Sequence, residues 1–226
     1  MQNYYSDKLS AWRLKRCYEI APRRTQQYLA AEIQFVVDQL SPSCKILELG
    51  CGYGRVLQKL APKAKSVFGI DTSNASLDLA KTFLVDFHNI DCFQMNAISL
   101  GFRDQTFDVV IAIQNGISAF KVEKRNLIKE SLRVTKDGGK VLFSSYSDSF
   151  WEDRLEWFEL QAQEGLLGEI DWKKTGNGTI VCKDGFKATT VAPGDFIALT
   201  MGLNVEVSIK EVDQSSVFCT ITVRHL

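Results

Sequence analysis

The stretch Ile46-Leu47-Glu48-Leu49-Gly50-Cys51-Gly52-Tyr53-Gly54 constrains this chain more than any other. An apolar run that breaks into alternating glycines reads as a β-strand entering a tight turn, and the following Arg55–Leu60 reads as a helix. Glycines at such a turn let the backbone bend sharply and approach a ligand with no Cβ in the way. They lie at the carboxyl end of a strand, where α/β sheets bind their ligands. A nucleotide-like cofactor is the expected occupant. The next strand, Val67-Phe68-Gly69-Ile70-Asp71, ends on an acid positioned to accept hydrogen bonds from a ribose diol. The glycine spacing is Gly-x-Gly-x-Gly, with Arg55 where the later glycine of a dinucleotide fold would have to be, so dinucleotide binding by an NAD-dependent oxidoreductase is the second reading.

Around this motif the chain alternates short apolar runs with amphipathic stretches, the order of βαβ units. Strands are expected at 45–49, 66–70, 92–95, 107–113 and 140–145, with helices at 55–60, 76–87 and 123–134. Asp137-Gly138-Gly139 is expected to turn the chain into the fifth strand. Two helices precede this core, within residues 1–40. After Tyr146 the regularity changes. A helix over 150–163 and a hairpin around Lys183-Asp184-Gly185 form an insertion at 147–192, which reads as a cap. A helix at 193–201 and two strands, 205–209 and 217–223, close the sheet as an antiparallel pair. The expected architecture is therefore one doubly wound α/β domain over 1–226, with its cofactor-binding core at 41–146.

Lys plus Arg and Asp plus Glu stand at 27 each, so the basic excess that holds a phosphate backbone is missing and a nucleic-acid partner is disfavoured. No basic start with an apolar stretch and cleavage site is visible, and no apolar run approaches membrane-spanning length, so a cytoplasmic protein without a membrane partner is expected. The six cysteines are scattered without a C-x-x-C pair, and only His88 and His225 could join them as ligands. Reduced core thiols and no metal site are the expectation.

From Lys45 to Ser145 the chain resembles the class I S-adenosylmethionine-dependent methyltransferases. Their first motif, an acid, one residue and three alternating glycines, is matched by Glu48, Gly50, Gly52 and Gly54. The resemblance continues through Asp71, Asn96-Ala97, Phe107-Asp108-Val109-Val110 and Leu132-Arg133-Val134-Thr135-Lys136-Asp137-Gly138-Gly139. It implies a Rossmann-like, mostly parallel seven-stranded sheet and S-adenosylmethionine as cofactor, with S-adenosylhomocysteine as product. By the same resemblance Glu48 and the loop of Gly50, Cys51, Gly52 and Gly54 hold the methionine end, Asp71 the ribose, and Thr72, Asn96 and Ala97 the adenosine. Asn96 stands where an Asp is common, and its side-chain oxygen can still accept from the adenine amino group. Asp108 matches a position that is usually structural.

Gln114 and Asn115 follow the fourth strand and bring two amides to the carboxyl edge of the sheet. Gln114 is assigned with the cofactor and Asn115 with a small-molecule acceptor. The family members that methylate exocyclic amines carry Asn/Asp-Pro-Pro-aromatic there, and Gln114-Asn115-Gly116-Ile117 lacks both prolines. Tyr4 and Tyr5, ahead of the first helix, Tyr146 at the end of the fifth strand, and Trp172 among the aromatics of the insertion complete the substrate-side candidates. No general base is evident, and neither histidine falls near the expected methyl. A non-catalytic cofactor-binding module and a methyltransferase for RNA or protein remain the other readings.

Overall fold

The computed structural model describes Tyr4 and residues 8–225. Helices α1 (Ala11–Glu19) and α2 (Arg23–Val37) come first. The core then alternates β1 (Lys45–Leu49), α3 (Arg55–Leu60), β2 (Ser66–Asp71), α4 (Asn74–Phe83), β3 (Ile90–Gln94) and β4 (Phe107–Ala112). A short α5 (Gly116–Ala119), α6 (Lys124–Val134) and β5 (Thr135–Tyr146) follow. The segment after β5 carries α7 (Trp151–Gln163) and a two-stranded hairpin, β6 (Ile180–Val181) and β7 (Lys187–Ala188). The chain closes with α8 (Pro193–Thr200), β8 (Val205–Val212) and β9 (Ser216–Val223).

The seven-stranded sheet has the order β3-β2-β1-β4-β5-β9-β8, with β9 antiparallel to both of its neighbours and the first five strands parallel. Strand alternation supplies two apolar faces. Ile46, Val67, Ile111 and Leu142 meet Val36 of α2, Leu57 of α3 and Leu77 of α4 on one face. Leu47, Val110, Val141 and Phe143 meet Leu127 and Ile128 of α6 and Phe196 of α8 on the other. The sheet is thus doubly wound, as expected. A third cluster joins α1 and α2 to α7 and the hairpin above the carboxyl edge.

Local chemistry sets most boundaries. Ser73 accepts from the Ser76 N–H at 3.2 Å and starts α4 two residues earlier than its apolar pattern suggests. Glu123 caps α6 by accepting from the Arg125 and Asn126 N–H groups. The fifth strand departs most from expectation. It begins at Thr135, directly after α6, and Asp137-Gly138-Gly139 lie within it. Phe107 pairs with Thr135 and Val109 with Lys140, so the intervening residues bulge out of the ladder, with Gly138 at φ +69°. Asp108 sits at this amino edge, accepting from the Lys45 N–H at 2.8 Å and pairing with Lys136 at 2.7 Å, a structural role far from the glycine turn.

Two buried features tie the layers together. Glu32 of α2 is fully buried, and its carboxyl accepts from the Gln114 N–H at 2.6 Å and from the Ser216 hydroxyl, so one side chain fixes the end of β4 and the start of β9. In β2, Gly69 lies under the glycine turn, where an added Cβ would come within 2.6 Å of Leu57 and 2.8 Å of the Cys51 sulfur. A Gly69→Ala protein should lose about 1–3 kcal/mol of stability through overpacking. Denaturant unfolding checks this, and an unchanged midpoint would show that α3 and the turn can shift freely.

Candidate active site

The site is built where strands end. After β1 the chain turns through Gly50, Gly52 and Gly54 at φ +73°, +54° and +91°, a left-handed path that side chains resist. The Gly50 and Cys51 N–H groups donate to the Ile70 carbonyl, at 2.8 and 2.9 Å, which stitches the turn to β2. Asp71 at the tip of β2 finishes the stitch, accepting from the Gly52 N–H and the Ser73 N–H at 2.8 Å each. Burial raises the Asp71 carboxyl above its ordinary range in spite of these donors. Gly54 stands outside the cavity and closes the turn onto α3, packed so tightly on Leu84 that a Cβ would come within 2.5 Å.

A cavity of about 230 Å³ opens from this turn. Glu48, Gly50, Cys51 and Gly52 border it from β1, Asp71 and Thr72 from β2, Asn96 and Ala97 from beyond β3, and Gln114 from β4. Five adjacent strand ends thereby bring their residues to one place, because Tyr146 at the end of β5 borders it too. Glu48 is buried, and its Oε2 has no hydrogen-bond partner among the described residues. Burial pushes its carboxyl up to about 8, with the Arg55 cation pulling the other way. Asn96 is partly committed, since its Oδ1 accepts from the Ile98 N–H at 3.1 Å, which leaves that oxygen one further lone pair.

The far half of the cavity is aromatic. Tyr18 of α1, Trp157 and Phe158 of α7 and Phe186 of the hairpin wall it, with the Tyr18 and Trp157 rings 6.1 Å apart. The Trp157 indole N–H donates to the Cys17 carbonyl at 2.9 Å and so holds α7 against α1. Arg154 is buried in α7, donates to the Gly178 and Ala188 carbonyls and lies 4.3 Å from the Tyr146 ring centroid, anchoring the hairpin over the site.

Two of the substrate-side candidates lie outside the lining of the cavity. Asn115 is buried and spends its amide on structure, donating to the Thr189 carbonyl at 2.9 Å and accepting from the Ser145 hydroxyl at 3.0 Å. Trp172 is 57% exposed and does not border the cavity, because the turn that carries it faces solvent. Tyr4 reaches the site only through Phe186, with ring centroids 4.9 Å apart and its hydroxyl donating to Asp184 at 2.5 Å. Tyr5 lies outside the described residues. Sequence reasoning missed Tyr18, Arg55 and Gln161 on the wall of the cavity, and Glu32 behind it, which holds the Gln114 backbone. Only Arg55, a cation immediately after the glycine turn, carried a local signal. His225 is held at the opposite edge of the sheet by the Thr135 carbonyl and Asp137.

Gln114 and Asn115 have φ of +57° and +62°, two successive non-glycine residues in the left-handed region at the tip of β4. Each costs on the order of 1 kcal/mol. The Gln114 N–H repays part of this by donating to both Glu32 and the Ser144 hydroxyl, at 2.6 and 2.8 Å. The strain turns the Gln114 side chain into the cavity, where its Oε1 accepts from Arg55.

Among known families, a methyltransferase domain matches residues 46–139. An arsenite methyltransferase of Aquipseudomonas alcaligenes is 28% identical over 181 residues, 74% of this chain and 51% of that protein. The chain spans about half the length of the curated relatives it matches. The PH0226 protein of Pyrococcus horikoshii shares the fold at a TM-score of 0.70 with 19% identity, covering 99% of this chain and 100% of that one. The N-methyltransferase NodS of Bradyrhizobium japonicum, solved with S-adenosylhomocysteine, does so at 0.61 with 15% identity over 99% and 100%. The domain match lies over the strand tips that build the cavity, and with a strand order that closes on an antiparallel β9 the chain is similar in sequence to methyltransferase domains and in fold to S-adenosylmethionine-dependent methyltransferases.

Proposed function

We propose that this protein transfers the methyl group of S-adenosylmethionine to a small organic acceptor held in the aromatic half of the cavity. The observation that carries the reading is the Glu48 carboxyl, buried, without a partner on Oε2, and bordering a cavity rimmed by glycine backbone and Asp71. A polar atom so placed needs a donor from a ligand, and the ammonium of a methionine moiety fits it. Asp71 has lone pairs left for ribose hydroxyls, and Thr72, Asn96 and Ala97 border the adenosine end. The bound cofactor supplies a methyl already activated on a sulfonium, so the protein has mainly to align a nucleophile and exclude water. The cap at 147–192 serves that exclusion, with Trp157 and Phe158 closing the cavity from above.

The acceptor is better read as organic than as a thiophilic metalloid. Of the cysteines, Cys17 and Cys51 border the cavity; burial pushes Cys17 up to about 12, and the hydrogen bond with Cys92 together with burial pushes Cys51 well up, so neither favours the thiolate that a soft centre needs. Balanced charge and an enclosed aromatic wall suit a small molecule better than RNA.

Titration calorimetry with S-adenosylmethionine, S-adenosylhomocysteine and NAD tests the reading. Binding of the two adenosyl compounds and not NAD is expected, and binding of NAD alone would overturn it. Asp71→Ala should weaken S-adenosylhomocysteine binding by about 1–3 kcal/mol; unchanged affinity would remove Asp71 from the ribose site. Glu48 adds a pH signature. Near pH 7 its carboxyl is mostly protonated in the free protein, and an arriving ammonium pulls its pKa down, so binding should release a proton. Calorimetry in buffers of different ionisation enthalpy reads that proton, and Glu48→Gln should abolish the release. Release that persists in the variant would mean another group titrates.

A further inference from the structure

Where the glycine turn meets the aromatic half of the cavity, two side chains carry hydrogen-bond donors that nothing in the described structure accepts. Arg55 Nε and Gln114 Nε2 are both buried without an acceptor among the described residues, and both residues border the cavity. Their mutual contact sets their directions. Arginine can only donate, so the Gln114 Oε1 that accepts from Arg55 Nη2 must face the guanidinium, and the Gln114 amide nitrogen is left to face elsewhere. The guanidinium is further held 4.2 Å from the centroid of the Tyr18 ring, on the aromatic side of the cavity.

The charge of Arg55 is also only partly offset. None of the ion pairs among the described residues includes it. Burial keeps the two nearby carboxyls, Glu32 and Glu48, up at about 7 and 8, so near neutral pH they offset that charge only in part. A partly desolvated cation beside an unfilled amide donor calls for a group that accepts hydrogen bonds and donates none.

Building on the methyltransferase reading, we propose that Arg55 and Gln114 form an oxyanion receptor for the methyl acceptor, which is a planar aromatic molecule bearing a carboxylate. The carboxylate lies against Arg55 Nε and Gln114 Nε2, and the ring lies among Tyr18, Trp157 and Phe158. The methionine carboxylate of the cofactor shares this chemistry, and the test separates the two sources.

The probes are 2-naphthoate and its neutral counterpart 2-naphthalenemethanol, titrated by ligand-observed NMR into the full chain with saturating S-adenosylhomocysteine. The wild-type protein should bind 2-naphthoate at least about tenfold more tightly than the alcohol, the size expected of charge-assisted hydrogen bonds. Arg55→Gln should remove that preference while S-adenosylhomocysteine still binds. Arg55→Lys, which keeps the charge without the fork and preserves more of the packing on Tyr18, should retain only part of it. Equal binding of the two probes, or a preference that survives in Arg55→Gln, would overturn the receptor. Loss of S-adenosylhomocysteine affinity in folded Arg55→Gln or Arg55→Lys would overturn it as well, by giving the donors to the cofactor. Failure of the wild-type protein to bind S-adenosylhomocysteine at all would instead be a failure of the methyltransferase reading.

Discussion

The buried carboxyl of Glu32 is the contact on which the arrangement of the site depends. It comes from α2, outside the sheet, and reaches both the backbone at the tip of β4 and the first residue of β9. An unpaired carboxyl in that position would cost several kcal/mol, so its hydrogen bonds are what make burial tolerable. Because the Gln114 N–H is one of its donors, the same contact stabilises the left-handed backbone at 114 and 115 and aims Gln114 at Arg55. A helix that precedes the core in sequence thus governs the geometry at the centre of the cavity.

Opposite demands are met in the two halves of that cavity. The half nearest β1 and β2 is polar and made largely of backbone, with Asp71 gripping the glycine turn so that its N–H groups and positive-φ residues keep their shape before any ligand arrives. The other half is side chain, with rings contributed by α1, α7 and the hairpin. Preorganised backbone suits a ligand whose chemistry is constant, and a wall of side chains suits one that varies.

This division explains what could be read in advance. The parallel strands, the glycine turn, Asp71 and the order of the sheet are written in contiguous residues with period-two or period-four patterns, and each lies where its own local chemistry puts it. The aromatic half is assembled from Tyr18, Arg55, Trp157 and Phe186, which are separated by tens of residues and meet only through tertiary packing. Nothing adjacent to Tyr18 announces that it faces Arg55. Trp172 shows the converse, an aromatic whose local company suggested a pocket and whose backbone carries it into solvent. Asn115 looked available because its two partners, Thr189 and Ser145, are remote in sequence. The bulge at Gly138 and Gly139 was hidden because two glycines after a helix are also the ordinary signal for a turn.

The cluster that joins α1 and α2 to α7 and the hairpin has its own composition of tyrosine, tryptophan, phenylalanine and leucine, and the seven-stranded sheet contributes only Tyr146 to it among the described residues. The two clusters on the faces of the sheet share none of its buried members. A substitution in the third cluster therefore changes chiefly the shape of the aromatic half of the cavity, while the apolar contacts that hold the sheet together stay intact. The molecule is partitioned so that the aromatic half of the cavity can be reshaped while the packing of the sheet and of the glycine turn is kept.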